Sequence, residues 1–248
     1  MTKRVLSSIV LALALLAGAG VAFASEGGEA LPPANANVKD TASLQRGARL
    51  FFNYCVGCHS LRYQRYSRIA EDLGLSEQEV MQNLNFTGAK FGDPVIASMP
   101  EADAQKWFGK APPDLSLEVR AKGADWVYNY LRSFYLDPSR PTGWNNTVFP
   151  NASMPNPLWE LQGVQRAVFA SAKAGEEPTV EKLELAQPGR LAPAQFDAAA
   201  RDLTAFLQYV AEPAALQRHR IGVWVLLYLA AFTFLAWLLK REYWKDVH

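Results

Sequence analysis

Cysteine and histidine are scarce in this sequence, which restricts the metal sites and redox centres that it can form. Among 248 residues there are two cysteines and three histidines. Cys55 and Cys58 lie close together and His59 follows them, whereas His219 and His248 lie near the C-terminus. A structural zinc site usually has four Cys or His ligands, so this small supply of both residues argues against a zinc site.

Internal repeats and the alternating apolar patterns that predict strands are also scarce. Half of the residues are hydrophobic, which is enough for the core of one good-sized domain with appendages. The periodic segments that do occur have helical spacing. We therefore predict a mostly α-helical fold with long loops.

Residues 55–59 have the pattern C-x-x-C-H, which is the attachment motif of a c-type haem. The two thiols form thioethers with the haem vinyl groups, and the imidazole becomes an axial ligand of the iron. A dithiol redox pair is one alternative, but it usually follows a strand in a βαβ unit, whereas the residues before Cys55 have a helical pattern. Half of a zinc site is the other alternative, and it lacks its partner ligands.

The N-terminus has the features of a secretory signal peptide. Lys3 and Arg4 precede a short apolar run, and Ala22-Phe23-Ala24 fits a cleavage site. We predict a signal peptide over residues 1–24, which places the start of the exported chain near Ser25. An uncleaved membrane anchor is the alternative.

A second apolar segment lies near the C-terminus, where residues 221–239 form a run of 19 positions without a charge. As a helix this run would extend roughly 28 Å, about the thickness of the hydrocarbon core of a bilayer. We predict a transmembrane anchor over residues 217–240, an exported, periplasmic domain over residues 25–216 and a cytoplasmic tail over residues 241–248. A buried helix of a soluble domain is the alternative, but tryptophans and basic residues at both ends favour a membrane span.

The predicted exported segment has an excess of acidic residues. Of the 25 Lys and Arg residues, two lie in the signal peptide and five lie from Arg218 onward, together with two of the 24 Asp and Glu residues. This leaves 18 basic and 22 acidic residues, a net charge of −4. An acidic domain suits a basic partner and disfavours nucleic acid, although an ordinary soluble surface would give the same number.

Helical spacing and capping signals predict several helices in the exported segment. The first begins at Asp40, Thr41 or Ser43 and delivers Cys55 from its C-terminal end, and the second has a capping box at Ser76. Loops are predicted over residues 85–117 and 137–157, and a surface excursion over residues 174–193. This second helix covers residues 76–84, and the later predicted helices cover residues 124–136, 157–173 and 194–211.

A haem with one histidine ligand needs either a second axial ligand or an open coordination site. Methionine is the common partner in electron-transfer cytochromes c; a lysine or an open site is the alternative. Met81 is expected in the core on its helix, whereas Met99 and Met154 lie in loops. Three prolines around Met154 stiffen the backbone that would hold a soft thioether on iron. The residues alone leave both Met154 and Met99 as candidates.

Several motifs resemble the cytochrome c1 family, the haem subunits of the cytochrome bc1 (quinol–cytochrome c reductase) complex. The resemblance extends from about Asp40 to the C-terminus. Its motifs are Arg46-Gly47, Cys58-His59-Ser60, Trp107-Phe108-Gly109, Ala111-Pro112-Pro113-Asp114-Leu115-Ser116, Arg120, Pro141-Thr142-Gly143, Phe149-Pro150, Met154 and Ala211-Glu212-Pro213.

The resemblance implies one covalently bound haem c with His59 and Met154 as the axial ligands of its iron. It implies that Arg120 pairs with a haem propionate, a role that suits the fork of a guanidinium group. Trp126 departs from the family, which often has a tyrosine there, near the propionates. The implied cofactor-binding residues are Cys55, Cys58, His59, Met154, Arg120 and Pro112.

The resemblance also implies a fold and a function. The fold is a mostly α, class I cytochrome c-like haem domain with long loops, followed by one C-terminal transmembrane helix. The first and last helices of the haem domain are expected to cross near the haem, where Gly47 permits a close approach. The implied function is electron transfer from the Rieske iron–sulfur protein to a cytochrome c with a basic surface, within an oxidoreductase whose quinol chemistry takes place on partner subunits. The transmembrane helix would keep the haem domain on cytochrome b at the bacterial inner membrane, with the haem in the periplasm. The alternatives are a cytochrome subunit of another respiratory complex and a haem peroxidase.

Overall fold

The structure is a computed structural model, and it describes residues 31–170 and 178–246 with the exception of the side chain of His219. The predicted signal peptide and His248 lie outside the described residues, as does part of the predicted excursion at residues 174–193.

Helices dominate the described part of the chain, as predicted. The helices are α1 (Thr41–Tyr54), α2 (Tyr66–Leu73), α3 (Glu77–Asn83), α4 (Glu101–Phe108), α5 (Glu118–Lys122), α6 (Ala124–Arg132), α7 (Trp159–Gln162), α8 (Pro193–Ala211) and α9 (Ala215–Tyr243).

Short antiparallel strand pairs connect the helices, and the sequence patterns did not predict them. Within the described residues, β1 pairs with β2, β3 with β4 and β5 with β6. The strands are β1 (Leu61–Arg65), β2 (Pro94–Val95), β3 (Phe134–Leu136), β4 (Trp144–Asn146), β5 (Gly163–Phe169) and β6 (Val180–Pro188).

The core forms where α1 packs against α8. Asp40 caps α1, because its Oδ1 accepts a hydrogen bond from the backbone nitrogen of Ser43 at 3.1 Å. The ring of Phe51 on α1 lies 5.8 Å from that of Phe206 on α8, and Phe206 also contacts Tyr209 at 6.0 Å. All three rings are fully buried, so aromatic burial holds the two helices together. The predicted crossing of the first and last soluble helices is confirmed.

Two more of the predicted helices occur at nearly the predicted positions. The capping box at Ser76 is present: its hydroxyl accepts from the backbone nitrogen of Glu79, and the Glu79 carboxylate accepts from the backbone nitrogen of Ser76. Met81 on this helix, α3, is half-buried against the core, as predicted. Helix α8 begins at Pro193, one residue before the predicted start.

The predicted helix over residues 157–173 is wrong. The chain is helical only over Trp159–Gln162 and then continues as strand β5. The change occurs at Gly163, whose φ of +93° is readily adopted by glycine alone. Residues of β5 then pair with a segment about twenty positions later, with Val164 opposite Gln187. Pairing with a distant strand overrides the local helical pattern.

The predicted helix over residues 124–136 ends early, at Arg132. Phe134–Leu136 instead forms strand β3, in which Phe134 pairs with Asn146 of β4. Aromatic residues favour strands when a partner strand is present. The loops predicted over residues 85–117 and 137–157 are mostly irregular, but they also contain α4, β2 and β4.

Helix α9 carries the apolar C-terminal segment. Among the residues that the structure describes, one helix, Arg220–Tyr243, is long and apolar enough to cross a membrane, with a mean hydropathy of 2.1 and no burial within the chain. Helix α8 ends at Ala211, and Pro213 separates it from α9 as predicted. Arg218 forms an ion pair with Glu212 across this break.

Candidate haem site

The C-x-x-C-H motif forms a tight turn at the C-terminal end of α1. The backbone nitrogen of Cys55 donates to the carbonyl oxygen of Phe51 at 2.8 Å, which ends the helix. The carbonyl oxygen of Cys55 then accepts hydrogen bonds from the backbone nitrogens of Cys58 (3.0 Å) and His59 (2.8 Å). This turn brings both thiols and the imidazole to one end of the helix.

The two thiols are free, and their surroundings keep them protonated. Burial, with a smaller contribution from Cys58, raises the pKa of the Cys55 thiol to about 12. Burial also raises the pKa of Cys58, which is half-buried. A dithiol redox pair needs a thiol with a lowered pKa, so this arrangement does not suit one. A buried site favours a neutral sulfur group, and the sulfur of a thioether is always neutral.

The imidazole of His59 is buried, with 8% exposed, and its Nδ1 lies 2.7 Å from the carbonyl oxygen of Pro113. A carbonyl oxygen can only accept, so Nδ1 carries the proton and Nε2 keeps its lone pair. Burial lowers the pKa of His59, which favours this neutral form over the imidazolium. A fixed tautomer with a free Nε2 is what a histidine ligand of iron requires.

Two loop segments, residues 97–99 and Leu115, form hydrogen bonds with the motif and with the residue that follows it. The backbone nitrogen of Leu115 donates to the carbonyl oxygen of Ser60 at 2.9 Å, and that of Ala97 donates to the Ser60 hydroxyl at 2.8 Å. The backbone nitrogen of Met99 donates to the carbonyl oxygen of Gly57 at 3.0 Å. The backbone of Met99 therefore contacts the motif, and the side chain of Met99 is half-buried.

Met154 lies in a loop that buried asparagines fix. Asn146 is fully buried, and its Oδ1 accepts from the backbone nitrogens of Val148 (2.9 Å) and Phe149 (3.1 Å). Asn145 Oδ1 accepts from the backbone nitrogen of Asn151 at 2.8 Å. These bonds set the path of the chain before Met154, whose side chain is half-buried. The proline-rich loop is therefore ordered by side-chain hydrogen bonds as well as by its prolines.

An aromatic group on α6 lies next to Met154. The hydroxyl of Tyr130 donates to the Sδ of Met154 at 3.5 Å. The ring of Tyr130 stacks on Trp126 at 5.0 Å with an interplanar angle of 10° and meets Phe134 edge-on at 5.0 Å. Trp126 in turn meets Phe149 at 6.2 Å. The departure at Trp126 thus places an indole beside the tyrosine that contacts Met154.

The other two predicted site residues are Arg120 and Pro112. Arg120 lies on α5 with an exposed side chain, which has no hydrogen bond or ion pair among the described residues. Pro112 is half-buried and directly precedes Pro113. The described contacts therefore leave the Arg120 guanidinium available for an anionic group.

Sequence reasoning did not identify two residues that the structure places in the site, Pro113 and Tyr130. Pro113 acts through its backbone carbonyl, which no side-chain pattern reveals, although it lies within the run at residues 111–116. Tyr130 is one helical turn from Trp126, so its position on the same face could have been found from the spacing.

The donor set fits a covalently attached haem better than a bare metal ion. In the part of the chain that the structure describes, no group of three His, Cys, Asp or Glu residues could hold a metal ion. One buried thiol, one half-buried thiol, one neutral imidazole and a thioether instead match the attachment and ligation of haem c.

Comparisons with known proteins agree with this chemistry. The sequence model of the Cytochrome C1 family matches residues 35–167 and 188–247. The chain is 52% identical to "Cytochrome c1" of Allochromatium vinosum over 97% of its length and 99% of that protein. It is 41% identical to a Nitrosomonas europaea protein named "Ammonia monooxygenase gamma subunit", over 96% of this chain and 97% of that protein. It is 26% identical to "Cytochrome b/c1" of Bradyrhizobium diazoefficiens, over 84% of this chain and 34% of that protein.

Proposed function

The chain belongs to the cytochrome c1 family, and from this we propose that Cys55 and Cys58 bind the haem while His59 and Met154 are the axial ligands of its iron. The chain carries one covalently attached haem c and transfers electrons as a membrane-anchored subunit of the cytochrome bc1 complex. When bound, the haem supplies one-electron chemistry between ferric and ferrous iron.

The observation that carries the ligand assignment is the 2.7 Å contact between His59 Nδ1 and the carbonyl oxygen of Pro113. This bond fixes the tautomer, leaves Nε2 with its lone pair and holds the ring in one orientation. Met154 supplies a soft thioether from a loop that Asn145 and Asn146 fix. If His59 and Met154 both bind the iron, the chain itself would keep small molecules from it, which supports electron transfer and argues against a peroxidase.

For the propionates we propose Arg120 as the partner, with Pro112 as part of the adjoining haem-binding segment. The guanidinium is exposed and has no partner among the described side chains. A planar fork of donors can bind a carboxylate through two parallel hydrogen bonds. The bulk of Trp126 contributes an apolar wall but no phenolic hydroxyl.

For the arrangement in the membrane we propose the boundaries that the sequence predicts. Residues 1–24 would be a cleaved signal peptide, 25–216 the periplasmic domain, 217–240 the anchor and 241–248 the cytoplasmic tail of a bacterial inner-membrane protein. Support comes from the apolar helix Arg220–Tyr243, which follows the exported segment. A reporter protein that works only in the cytoplasm should be active when it is fused after residue 248.

The proposed partners are cytochrome b, the Rieske iron–sulfur protein as electron donor and a basic cytochrome c as acceptor. Support for cytochrome b comes from the name of the Bradyrhizobium relative, which is much longer than this chain. The net charge of −4 on the segment before Arg218 supports a basic acceptor. Co-purification of the tagged chain with cytochrome b and a Rieske protein tests this; purification with another respiratory complex would contradict it.

An absorption spectrum and a haem stain on a denaturing gel test the haem attachment. The full-length chain in detergent should keep its haem after denaturation, and a Cys55→Ala, Cys58→Ala double variant should lose it. Retention of stained haem in the double variant would show that attachment occurs elsewhere.

A pair of methionine variants tests the axial ligand. Met154→Leu should lower the reduction potential, remove the weak far-red band of a ferric thioether–haem bond and allow carbon monoxide to bind the reduced protein. Met99→Leu is the matched control and should change none of these. If Met99→Leu shows these changes instead, or if the unaltered protein readily binds carbon monoxide, the assignment of Met154 is wrong.

A further inference from the structure

We propose that Tyr130 is a positioning residue that donates a hydrogen bond to the sulfur of Met154 and thereby raises the reduction potential of the haem iron. This inference rests on the proposed role of Met154 as axial ligand. It concerns a residue of α6 that none of the motifs includes.

The contact itself defines the direction of the hydrogen bond. The Tyr130 hydroxyl lies 3.5 Å from Met154 Sδ, within the range for a sulfur acceptor. A thioether sulfur has no proton, so the hydroxyl must be the donor. The sulfur has two lone pairs, so that one can bind the iron while the other accepts from Tyr130.

Two aromatic neighbours and one buried amide set the position of Tyr130. Trp126 stacks on one face at 5.0 Å, and Phe134 meets the ring at 5.0 Å. The carbonyl oxygen of Tyr130 accepts from Nδ2 of Asn146 at 2.8 Å. Asn146 also binds the backbone at Val148, so one buried amide connects the tyrosine to the loop that carries Met154.

The electronic consequence follows from the charge of the iron. A hydrogen bond to sulfur draws electron density away from the lone pairs and makes the thioether a weaker donor. Ferric iron depends more on that donation than ferrous iron, so the bond favours the reduced state. Its removal should lower the potential and strengthen the iron–sulfur bond of the oxidised protein.

Tyr130→Phe tests the proposal, because phenylalanine keeps the stacked ring and removes only the hydroxyl. At a fixed applied potential, the ratio of reduced to oxidised protein should fall about threefold. This corresponds to a decrease of about 30 mV in the reduction potential for one electron. The far-red thioether band should remain, and added imidazole should displace the ligand of the ferric protein several-fold less readily.

Tyr209→Phe is the matched control, because it also removes a hydrogen-bonded hydroxyl from a buried tyrosine, here the bond to Asp72 at 2.8 Å. Its potential should be unchanged. An unchanged or higher potential in Tyr130→Phe, or the same fall in Tyr209→Phe, overturns the inference. If Met154→Leu changes neither potential nor band, it is instead the ligand assignment that fails.

Discussion

Gly47 and Asp202 bring α1 and α8 into direct backbone contact. A Cβ built at Gly47 would overlap the carbonyl oxygen of Asp202 and would lie 2.7 Å from the Cβ of Phe206. Gly47 is buried, and backbone lies on the other side of the contact, so no flexible side chain could move aside. The crossing that positions the C-terminal end of α1 therefore depends on the absence of one methyl group.

Gly47→Ala should destabilise the protein although alanine is the better helix former. The helix propensity gains about 1 kcal/mol, but overpacking against backbone usually costs about 1–3 kcal/mol or more. We expect the clash to dominate and the melting temperature of the full-length protein in detergent to fall. Gly92→Ala is the control, since a Cβ there meets nothing within 4 Å. An equal effect in both variants would contradict a specific close approach.

Asp202 also connects the two helices through its side chain. Its Oδ1 accepts from the Ser43 hydroxyl at 2.6 Å, and its two oxygens accept from the guanidinium of Arg46. Asp202→Ala should lower the free energy of unfolding by about 2 kcal/mol, because these bonds involve a buried charge. Asp197→Ala breaks an ion pair with Arg132 whose side chains are about one third exposed, so it should cost under about 1 kcal/mol. Chemical denaturation compares the two, and an equal loss would argue against a special role for Asp202.

The loop before Met154 should weaken in acid through Asp137. Hydrogen bonds from Ser139 and Asn145 hold the pKa of Asp137 below its ordinary value of 3.8. Because the unfolded chain then binds more protons than the folded one, this contribution to stability is complete above pH 3.8 and is lost as the pH falls through the folded pKa.

Asp137→Asn tests this pH dependence, because it removes the charge and keeps the shape. The difference in unfolding free energy between wild type and variant should be present at pH 6 and should shrink below pH 3.8. Ser139→Ala, which removes the 2.6 Å bond from the hydroxyl, should show part of the same trend. A difference that is constant with pH would exclude Asp137 as its source.

Electron transfer to a basic cytochrome c should slow as salt is added. The acidic excess of the exported segment favours encounter at low ionic strength, and the screening length shortens from about 10 Å at 0.1 M salt to about 3 Å at 1 M. Stopped-flow oxidation of the reduced protein measures the rate. An uncharged small-molecule oxidant serves as control and should react at nearly constant speed. A salt-independent rate with the basic cytochrome would remove the charge argument.

Local sequence signals predicted the elements whose stability is local. The Asp40 cap, the Ser76 capping box and the apolar spacing of α8 each describe interactions within one helix turn or one helix face, and each occurs where predicted. The prediction of a helix over residues 157–173 was wrong because Gly163 begins a strand that pairs with residues of β6. No signal within the segment itself specifies that partner.

The sequence by itself determined the cofactor chemistry, because the C-x-x-C-H spacing and the scarcity of other ligands are properties of the chain alone. It also determined the apolar C-terminal helix, since a run without charge needs no tertiary partner to be recognised. Only the tertiary structure decided that Pro113 fixes the tautomer of His59 and that Tyr130 reaches the sulfur of Met154. Those contacts join residues 54 and 24 positions apart, and such distances are closed by the packing of the whole fold.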